Sequence, residues 1–77
     1  MRVIYSDHWI RKRAYRPDIH DEMIRYALQQ SKQIKDKVRA GVLNAVCRIP
    51  PSGRMLKVAY RYAGKDTIKI ITAFWMD

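Results

Sequence analysis

The strongest constraint on the fold is a pair of alternating apolar runs in the second half of the sequence. Residues 55–62 and 67–75 are rich in β-formers and flank the turn sequence at 63–66, so they predict a β-hairpin. Side chains alternate along a strand, and the two apolar sets share a face only if the numbers of paired residues add up to an even number. This register predicts a packed face formed by Leu56, Val58, Tyr60, Tyr62, Ile68, Ile70, Thr72 and Phe74.

The opposite face of this hairpin is predicted to be cationic. Lys57 and Arg61 lie four residues apart on one strand, so they share a face, and Lys69 joins them from the second strand. Three cations on one surface repel one another unless negative charge lies close by. RNA phosphates, carboxylates of an acidic partner protein or the chain's own Asp and Glu could each supply that charge. By parity Trp75 falls on this face, where it could stack on a base or pack against a helix.

The first half of the chain predicts two helices. Ser6 or Asp7 can cap a helix over roughly 7–15, and Asp18 can cap a second helix over roughly 19–33. The second helix carries an apolar stripe at helical spacing, which comprises Ile19, Met23, Ile24, Ala27 and Leu28.

Two further segments are predicted to be strands. Residues 1–5 are rich in β-formers, and residues 40–49 alternate, although a short helical continuation through 37–46 also fits the pattern. The loop at 50–53 separates a mainly helical half from a β-rich half. The predicted fold class is therefore α+β, with one domain over residues 1–77 in which two N-terminal helices pack on an antiparallel sheet of three to four strands.

The chain is short and has few sources of stability besides its core. It has 77 residues and one cysteine, Cys47, so a disulfide framework is excluded, and no spacing of Cys and His is typical of a structural metal. Good packing, a partner or a homodimer must supply further stability. Neither a signal peptide nor a membrane span is indicated, and one free cysteine makes a reducing cytoplasm the expected location. We expect no metal and no cofactor.

Net charge indicates the class of partner. Lys and Arg total 16 against 7 Asp and Glu, a formal net charge of +9. Such an excess in a small domain favours RNA or another polyanion through counterion release. The alternative is a solvated basic surface that serves solubility, although such surfaces usually mix both signs of charge.

Three residues are candidates for catalysis: His8, Arg54 and Lys57. His8 can act as a general acid or base near neutral pH, although a lone histidine beside the aromatic Trp9 is also a common structural residue. Arg54 follows Gly53 at a tight turn, where it can grip a phosphate bidentately or lie at the rim without a ligand. This set of residues suits RNA cleavage, in which the 2′-hydroxyl is the nucleophile and arginines stabilise the charge of the phosphorane.

Five further cations are predicted to contact nucleic acid: Arg11, Lys12, Arg16, Arg61 and Lys69. The last two belong to the cationic face of the hairpin. The first three form a basic helix end, which is either a solvated surface or part of a site shared with His8.

Several short motifs resemble a small, uncharacterised bacterial and archaeal domain family that is often grouped with the RelE/ParE-type toxins. The family pattern runs S-x-H-A, an arginine four residues on, R-G-I, then G-R-x-L-x-V and a closing I-x-V-T-x-Y/F strand. This chain has Ser6-Asp7-His8, Lys12 and Arg16, then Gly53-Arg54-Met55-Leu56-Lys57-Val58, then Ile70-Ile71-Thr72-Ala73-Phe74. It departs from the pattern at Trp9 (a small residue in the family), at Lys12 (an arginine) and at Pro17-Asp18 (Gly-Ile).

The resemblance implies a RelE-like fold and a toxin-like RNA-binding domain. It further implies a metal-independent mRNA endoribonuclease that is often ribosome-associated and is neutralised by an acidic antitoxin. RelE-type toxins use lysines, arginines and a C-terminal tyrosine. Arg54, Lys57 and Arg61 match in kind, but no tyrosine follows Tyr62. ParE-type relatives act on gyrase, so the superfamily alone does not decide catalysis.

Three hypotheses of function follow from the sequence. The first is a ribonuclease toxin in which Arg54 and Lys57 bind the scissile phosphate and His8 transfers a proton. The second is a non-catalytic module that binds nucleic acid or the ribosome with the same basic face. The third is a protein-interaction domain whose basic surface receives an acidic partner.

Overall fold

A computed structural model describes residues 1–76 of the chain. In chain order its elements are β1 (Arg2–Tyr5), α1 (Asp7–Lys12), a 3₁₀ turn (Arg13–Tyr15), α2 (Asp21–Gln30), β2 (Ile34–Lys35), β3 (Leu43–Ile49), β4 (Arg54–Gly64) and β5 (Thr67–Trp75). Across these residues, no helix combines the length and the apolar character that crossing a membrane requires.

The five strands form one mixed sheet in the order β1-β5-β4-β3-β2. The strand β1 pairs with β5 in parallel, and the other neighbours are antiparallel. The expected fold class, a RelE-like arrangement of two N-terminal helices on an antiparallel sheet of three to four strands, is therefore wrong. The prediction failed for two reasons. The direction in which β1 joins the sheet depends on tertiary contacts, and β2, with only two residues, is too short to be recognised in the sequence.

Both helices cover the same face of the sheet. Trp9 of α1 and Ile24 of α2 are completely or almost completely buried, as are Leu56, Val58 and Ile70 of the sheet. Each large side chain that is removed from water in this way stabilises the fold by about 1.5–3 kcal/mol. The predicted apolar stripe of the second helix thus does face the core, although α2 is ten residues long and begins with His20 as its N-cap.

The predicted hairpin is present, and its register shifts at two places, between Tyr62 and Gly64 beside the turn and between Ala59 and Tyr60 further along β4. Near the turn, Tyr60 pairs with Ile70 as expected, but the next pair is Ala59 with Thr72, which leaves Ile71 as an extra residue. Beyond this β-bulge, the side chains of β5 exchange faces. Ala73 is therefore buried opposite Val58.

This exchange corrects the predicted faces of the last residues. Trp75 lies on the helix-covered face, where it packs against the core, instead of on the cationic face. Thr72 and Phe74, which were predicted to be packed against the helices, lie on the opposite face instead.

Two side chains hold the bulged part of β5 beyond the end of β1. The backbone N–H of Ser6 donates to the Ile70 carbonyl (2.9 Å), and its hydroxyl donates to the Ile71 carbonyl (3.0 Å) while accepting from the N–H of Trp9 (3.1 Å). Ser6 is therefore the N-cap of α1, as one of the two predicted alternatives had it. Arg16 donates from Nη1 to the Ala73 carbonyl (3.0 Å) and to Thr72 Oγ1 (3.3 Å).

Asp18 has a tertiary role instead of capping a helix. Its Oδ2 accepts hydrogen bonds from Trp75 Nε1 (2.8 Å) and Arg54 Nη1 (3.4 Å). The guanidinium of Arg54 also lies 4.2 Å from the centroid of the Trp75 ring system. These contacts fasten the loop before α2 to the end of the sheet.

Residues 40–49 were open to two interpretations, and the structure shows a strand. It begins at Leu43, and the preceding residues form a turn in which Gly41 has a positive φ of 76°. The helical alternative over 37–46 is therefore wrong.

Candidate functional site

The sheet face opposite the helices, called the open face below, is rich in cations. Strand alternation places Arg48, Lys57, Arg61 and Lys69 on it. Ile4, Val46, Met55 and Phe74 occupy positions between or beside these cations. A surface of this kind offers positive charge and apolar contact area together.

The 36–42 segment folds across part of the open face. Its ends meet through a hydrogen bond from the N–H of Asp36 to the Val42 carbonyl (2.9 Å). Asp36 Oδ1 accepts from the N–H groups of Val38 and Arg39 (2.9 Å each). Its Oδ2 accepts from Asn44 Nδ2 (3.3 Å), which attaches the segment to β3.

These contacts fix Asp36 in its charged form. Hydrogen bonds from the backbone of Arg39 and then of Val38 are the main causes that hold the pKa of Asp36 well below its ordinary value of 3.8. The side chain of Arg39 adds an ion pair at 3.3 Å. The carboxylate is thus a permanent acceptor near neutral pH.

Acidification is expected to loosen the 36–42 segment. The folded state lowers the pKa of Asp36, so this contribution to stability is complete above its ordinary value of 3.8 and is lost as the pH falls below it. In NMR spectra, the amide signals of Val38 and Arg39 should stay in place at pH 4 and move towards their disordered positions only as the pH falls well below that value. An Asp36→Ala variant, which lacks the acceptor of both backbone hydrogen bonds, should show the loosened state at every pH, and an identical acid response in this variant would contradict the assignment.

A first cavity lies where α1, the 36–42 segment and the hairpin meet. It has a volume of about 250 Å³, and we call it the His8 cavity. It is lined by Ser6, His8, Arg39, Val42, Arg61, Lys69 and Ile71. The end of β1 turns into α1 at Ser6, and this turn brings His8 to the edge of the open face.

The His8 cavity brings together three residues singled out in the sequence. Arg61 and Lys69 are directly opposite each other on β4 and β5, and His8 lines the same space. Arg39 is an additional cation that sequence reasoning missed, since its position depends on the turn that Asp36 organises. Among the ion pairs of the described residues, none involves Arg61 or Lys69. The chain's own acids therefore do not neutralise these two side chains.

Arg54 is separate from the His8 cavity. It lies at the far end of β4, seven positions from Arg61, which corresponds to about 23 Å along a strand. Its guanidinium contacts Asp18 and Trp75 on the helix-covered side. The structure therefore does not join Arg54 and His8 in one site.

Lys57 lines a second cavity on the open face, on the other side of the 36–42 segment. This cavity has a volume of about 320 Å³, and we call it the Asn44 cavity. Its lining comprises Ile34, Lys35, Asp36, Lys37, Val38, Asn44, Val46 and Lys57. Lys57 Nζ also lies 5.8 Å from the centroid of the Phe74 ring.

The remaining candidates belong to the helical end of the molecule. Arg11 and Lys12 are exposed on the last turn of α1. Arg16 is half-buried, and its guanidinium is engaged with β5 as described above. Within residues 1–76, no group of His, Cys, Asp or Glu could hold a metal ion.

Comparison with known proteins returned no relative: no protein-family model, no curated protein and no solved structure matches this chain.

Proposed function

We propose that this domain binds RNA on its open face, and that the His8 cavity is the main site for a backbone phosphate. The observation that carries the proposal is the convergence of His8, Arg39, Arg61 and Lys69 on one cavity. Two of these cations face each other without a carboxylate partner among the described residues. A phosphate bound between them would relieve their mutual repulsion.

The composition of the open face favours single-stranded RNA over a duplex. Cations on rigid strands can follow a phosphate backbone, and apolar side chains between them can contact unstacked bases. Phe74 and Ile71 are half-buried on or beside this face, so part of their apolar surface stays accessible. The resemblance of the chain's short motifs to a small family that is often grouped with RelE/ParE-type toxins is the reason for choosing RNA among the polyanions.

The proposal is tested by removing single charges inside and outside the His8 cavity. We expect Arg61→Gln and Lys69→Gln each to weaken the binding of a short single-stranded RNA, measured by fluorescence anisotropy at several salt concentrations. Each lost phosphate contact should reduce the slope of log affinity against log salt by about 0.7. Lys12→Gln is the matched control, because it removes the same charge from the exposed end of α1.

The Lys12→Gln control distinguishes RNA binding at a defined site from general electrostatic attraction. If Lys12→Gln weakens binding as much as Arg61→Gln does, either affinity follows net charge or the end of α1 also contacts RNA, and in both cases the His8 cavity is not the main phosphate site. Absence of any binding to RNA by the unmodified domain would overturn the proposal as a whole.

A second candidate function is RNA cleavage, and the position of His8 beside Arg61 and Lys69 favours it. The imidazole would take the proton from a 2′-hydroxyl, and the resulting oxygen would attack the adjacent phosphorus while the 5′-oxygen leaves and is protonated by water. The two cations would stabilise the extra negative charge of the phosphorane. The products would be a 2′,3′-cyclic phosphate and a 5′-hydroxyl end.

Cleavage and binding are separable by one substitution. If the domain is a nuclease, His8→Ala should abolish the cleavage of end-labelled RNA while affinity for a 2′-deoxy substrate analogue stays within about twofold, because the phosphate-binding cations remain. Cleavage that persists in His8→Ala would exclude this role for the imidazole.

A further inference from the structure

Asn44 is the feature of the open face that phosphate binding leaves unexplained. It is the one buried polar residue among those described, with 7% of its surface exposed, and its Oδ1 has no hydrogen-bond partner there. It lies on the open-face side of β3, between Ile34 of β2 and Ala59 of β4. A buried acceptor without a partner costs folding free energy, so a ligand that supplies an N–H group gains a favourable contact there.

The contact between Asn44 and Asp36 determines which amide atom is available. Asp36 accepts two backbone hydrogen bonds and is ionised, so it can only accept. The group that faces its Oδ2 at 3.3 Å must therefore be the Asn44 NH₂. This leaves Oδ1 as an acceptor and fixes the orientation of the amide.

From this arrangement we infer that the Asn44 cavity receives an unpaired nucleobase, and that Asn44 Oδ1 accepts a hydrogen bond from an N–H group of that base. The inference rests on the proposed RNA binding and deepens it, because phosphate contacts at the His8 cavity carry no base information. Asn44 would then be the residue that gives the open face a base preference.

The lining of the Asn44 cavity fits a base better than it fits a free phosphate. Ile34, Val38 and Val46 provide apolar contacts for the faces of a flat ring. A phosphate has no N–H to offer Oδ1 and would lie beside the Asp36 carboxylate, which also lines the cavity. Lys57 lies at its border, where it can hold the phosphate attached to the bound nucleotide.

The position of the Asn44 cavity also suits a nucleotide of the same RNA chain. Lys57 of the Asn44 cavity and Arg61 of the His8 cavity lie four positions apart on β4, or about 13 Å along the strand. Because both cavities open on one face of the sheet, a single strand can cross the 36–42 segment and occupy both.

Access to Oδ1 requires a small movement of the chain that covers it. One wall of the cavity is β2, which is attached to β3 through only two residue pairs, Ile34 with Asn44 and Lys35 with Leu43. Both strand residues of β2 are exposed. This wall is therefore the least firmly held part of the sheet, and it can give way to an entering base.

The decisive experiment compares RNA probes that have the same charge and length. The probes are hexamers of uridine, cytidine and adenosine and an abasic ribose-phosphate hexamer, with affinities measured by fluorescence anisotropy at one salt concentration. We expect at least one base-bearing hexamer to bind about tenfold more tightly than the abasic chain. Asn44→Ala should bring this preference close to onefold, because the ratio of the two affinities cancels any change in phosphate binding that follows from losing the Asn44–Asp36 contact.

A modified RNA tests the same hydrogen bond without a change in the protein, in case Asn44→Ala disturbs the fold. Methylating the N–H donors of the preferred base, as in N3-methyluridine for uridine, removes the hydrogen bond without altering the protein. This probe should bind the unmodified domain as weakly as the abasic chain does. Retention of the full preference by the methylated probe would overturn the inference.

The outcomes distinguish this inference from the proposed function. If all hexamers, including the abasic one, bind equally, the domain binds backbone phosphates and the base site does not exist. If none of the hexamers binds, the proposed RNA binding fails, and the inference fails with it.

Discussion

Trp9→Ala is expected to be the most destabilising single substitution in α1. Trp9 is completely buried and belongs to a helix of six residues. A helix this short has no stability of its own and depends on its packing. Loss of a buried tryptophan costs about 3–5 kcal/mol, whereas a domain of this size has a total stability of about 4–12 kcal/mol. Urea denaturation followed by circular dichroism should show this loss, and if the total stability lies at the lower end of the range, the variant should be largely unfolded without urea.

Trp9→Phe provides the matched comparison. The indole Nε1 of Trp9 is buried without a hydrogen-bond partner among the described residues, so the native side chain already carries an unfavourable polar group. Phenylalanine keeps most of the apolar volume and removes this N–H. We expect Trp9→Phe to lower the free energy of unfolding by no more than about half as much as Trp9→Ala does. Equal losses in the two variants would contradict this account of the site.

A second large loss of stability is expected for Arg16→Ala. The guanidinium satisfies the Ala73 carbonyl and contacts Thr72, at a part of β5 that β1 no longer covers. Removing a charged donor from such a carbonyl costs about 1.5–3 kcal/mol. Arg16→Lys should recover only part of the loss, since one ammonium group cannot reproduce the geometry of the guanidinium. Both variants are measured by urea denaturation.

The same variant separates a structural role from a nucleic-acid contact. In folded Arg16→Ala, RNA affinity should fall no more than it does in the Lys12→Gln control. A much larger loss would show that Arg16 contacts RNA, as the sequence pattern predicted, and would contradict the purely structural role that its hydrogen bonds indicate.

Local sequence signals were sufficient for the hairpin and for the start of α1. The alternation on either side of the turn at 63–66 identified both strands, and Ser6 carried the side chain that an N-cap requires. These features are determined by neighbours in the sequence. They can therefore be predicted without knowledge of the tertiary fold.

The bulge at Ile71 could not be predicted in this way. Parity alone leaves Thr72 and Phe74 on the packed face, and nothing near them in the sequence contradicts that choice. The bulged register is stabilised by Ser6 and Arg16, which lie more than fifty positions away. Their side chains donate hydrogen bonds to the backbone carbonyls of Ile71 and Ala73. Long-range partners of this kind decide which face Trp75 occupies.

The sequence predicted most residues of the candidate site, but it did not predict which of them lie together. Arg61 and Lys69 came together because strand pairing is local, and His8 joined them through the turn that follows β1. Arg54 resembled these cations in sequence but lies at the opposite end of a long strand, in contact with Asp18. Arg39 carried no signal, because its role depends on the way in which Asp36 closes the 36–42 segment.

The parallel pairing of β1 with β5 has a consequence for how the domain folds during synthesis. Arg2 is paired with Thr67 and Tyr5 with Ile70, so β1 cannot take its place in the sheet until β5 has been made. Contacts of such high sequence separation slow folding, because the loop must close before they form. Trp9 and β1 will therefore stay exposed until β5 has left the ribosome. Chaperone binding to nascent chains should end at that point.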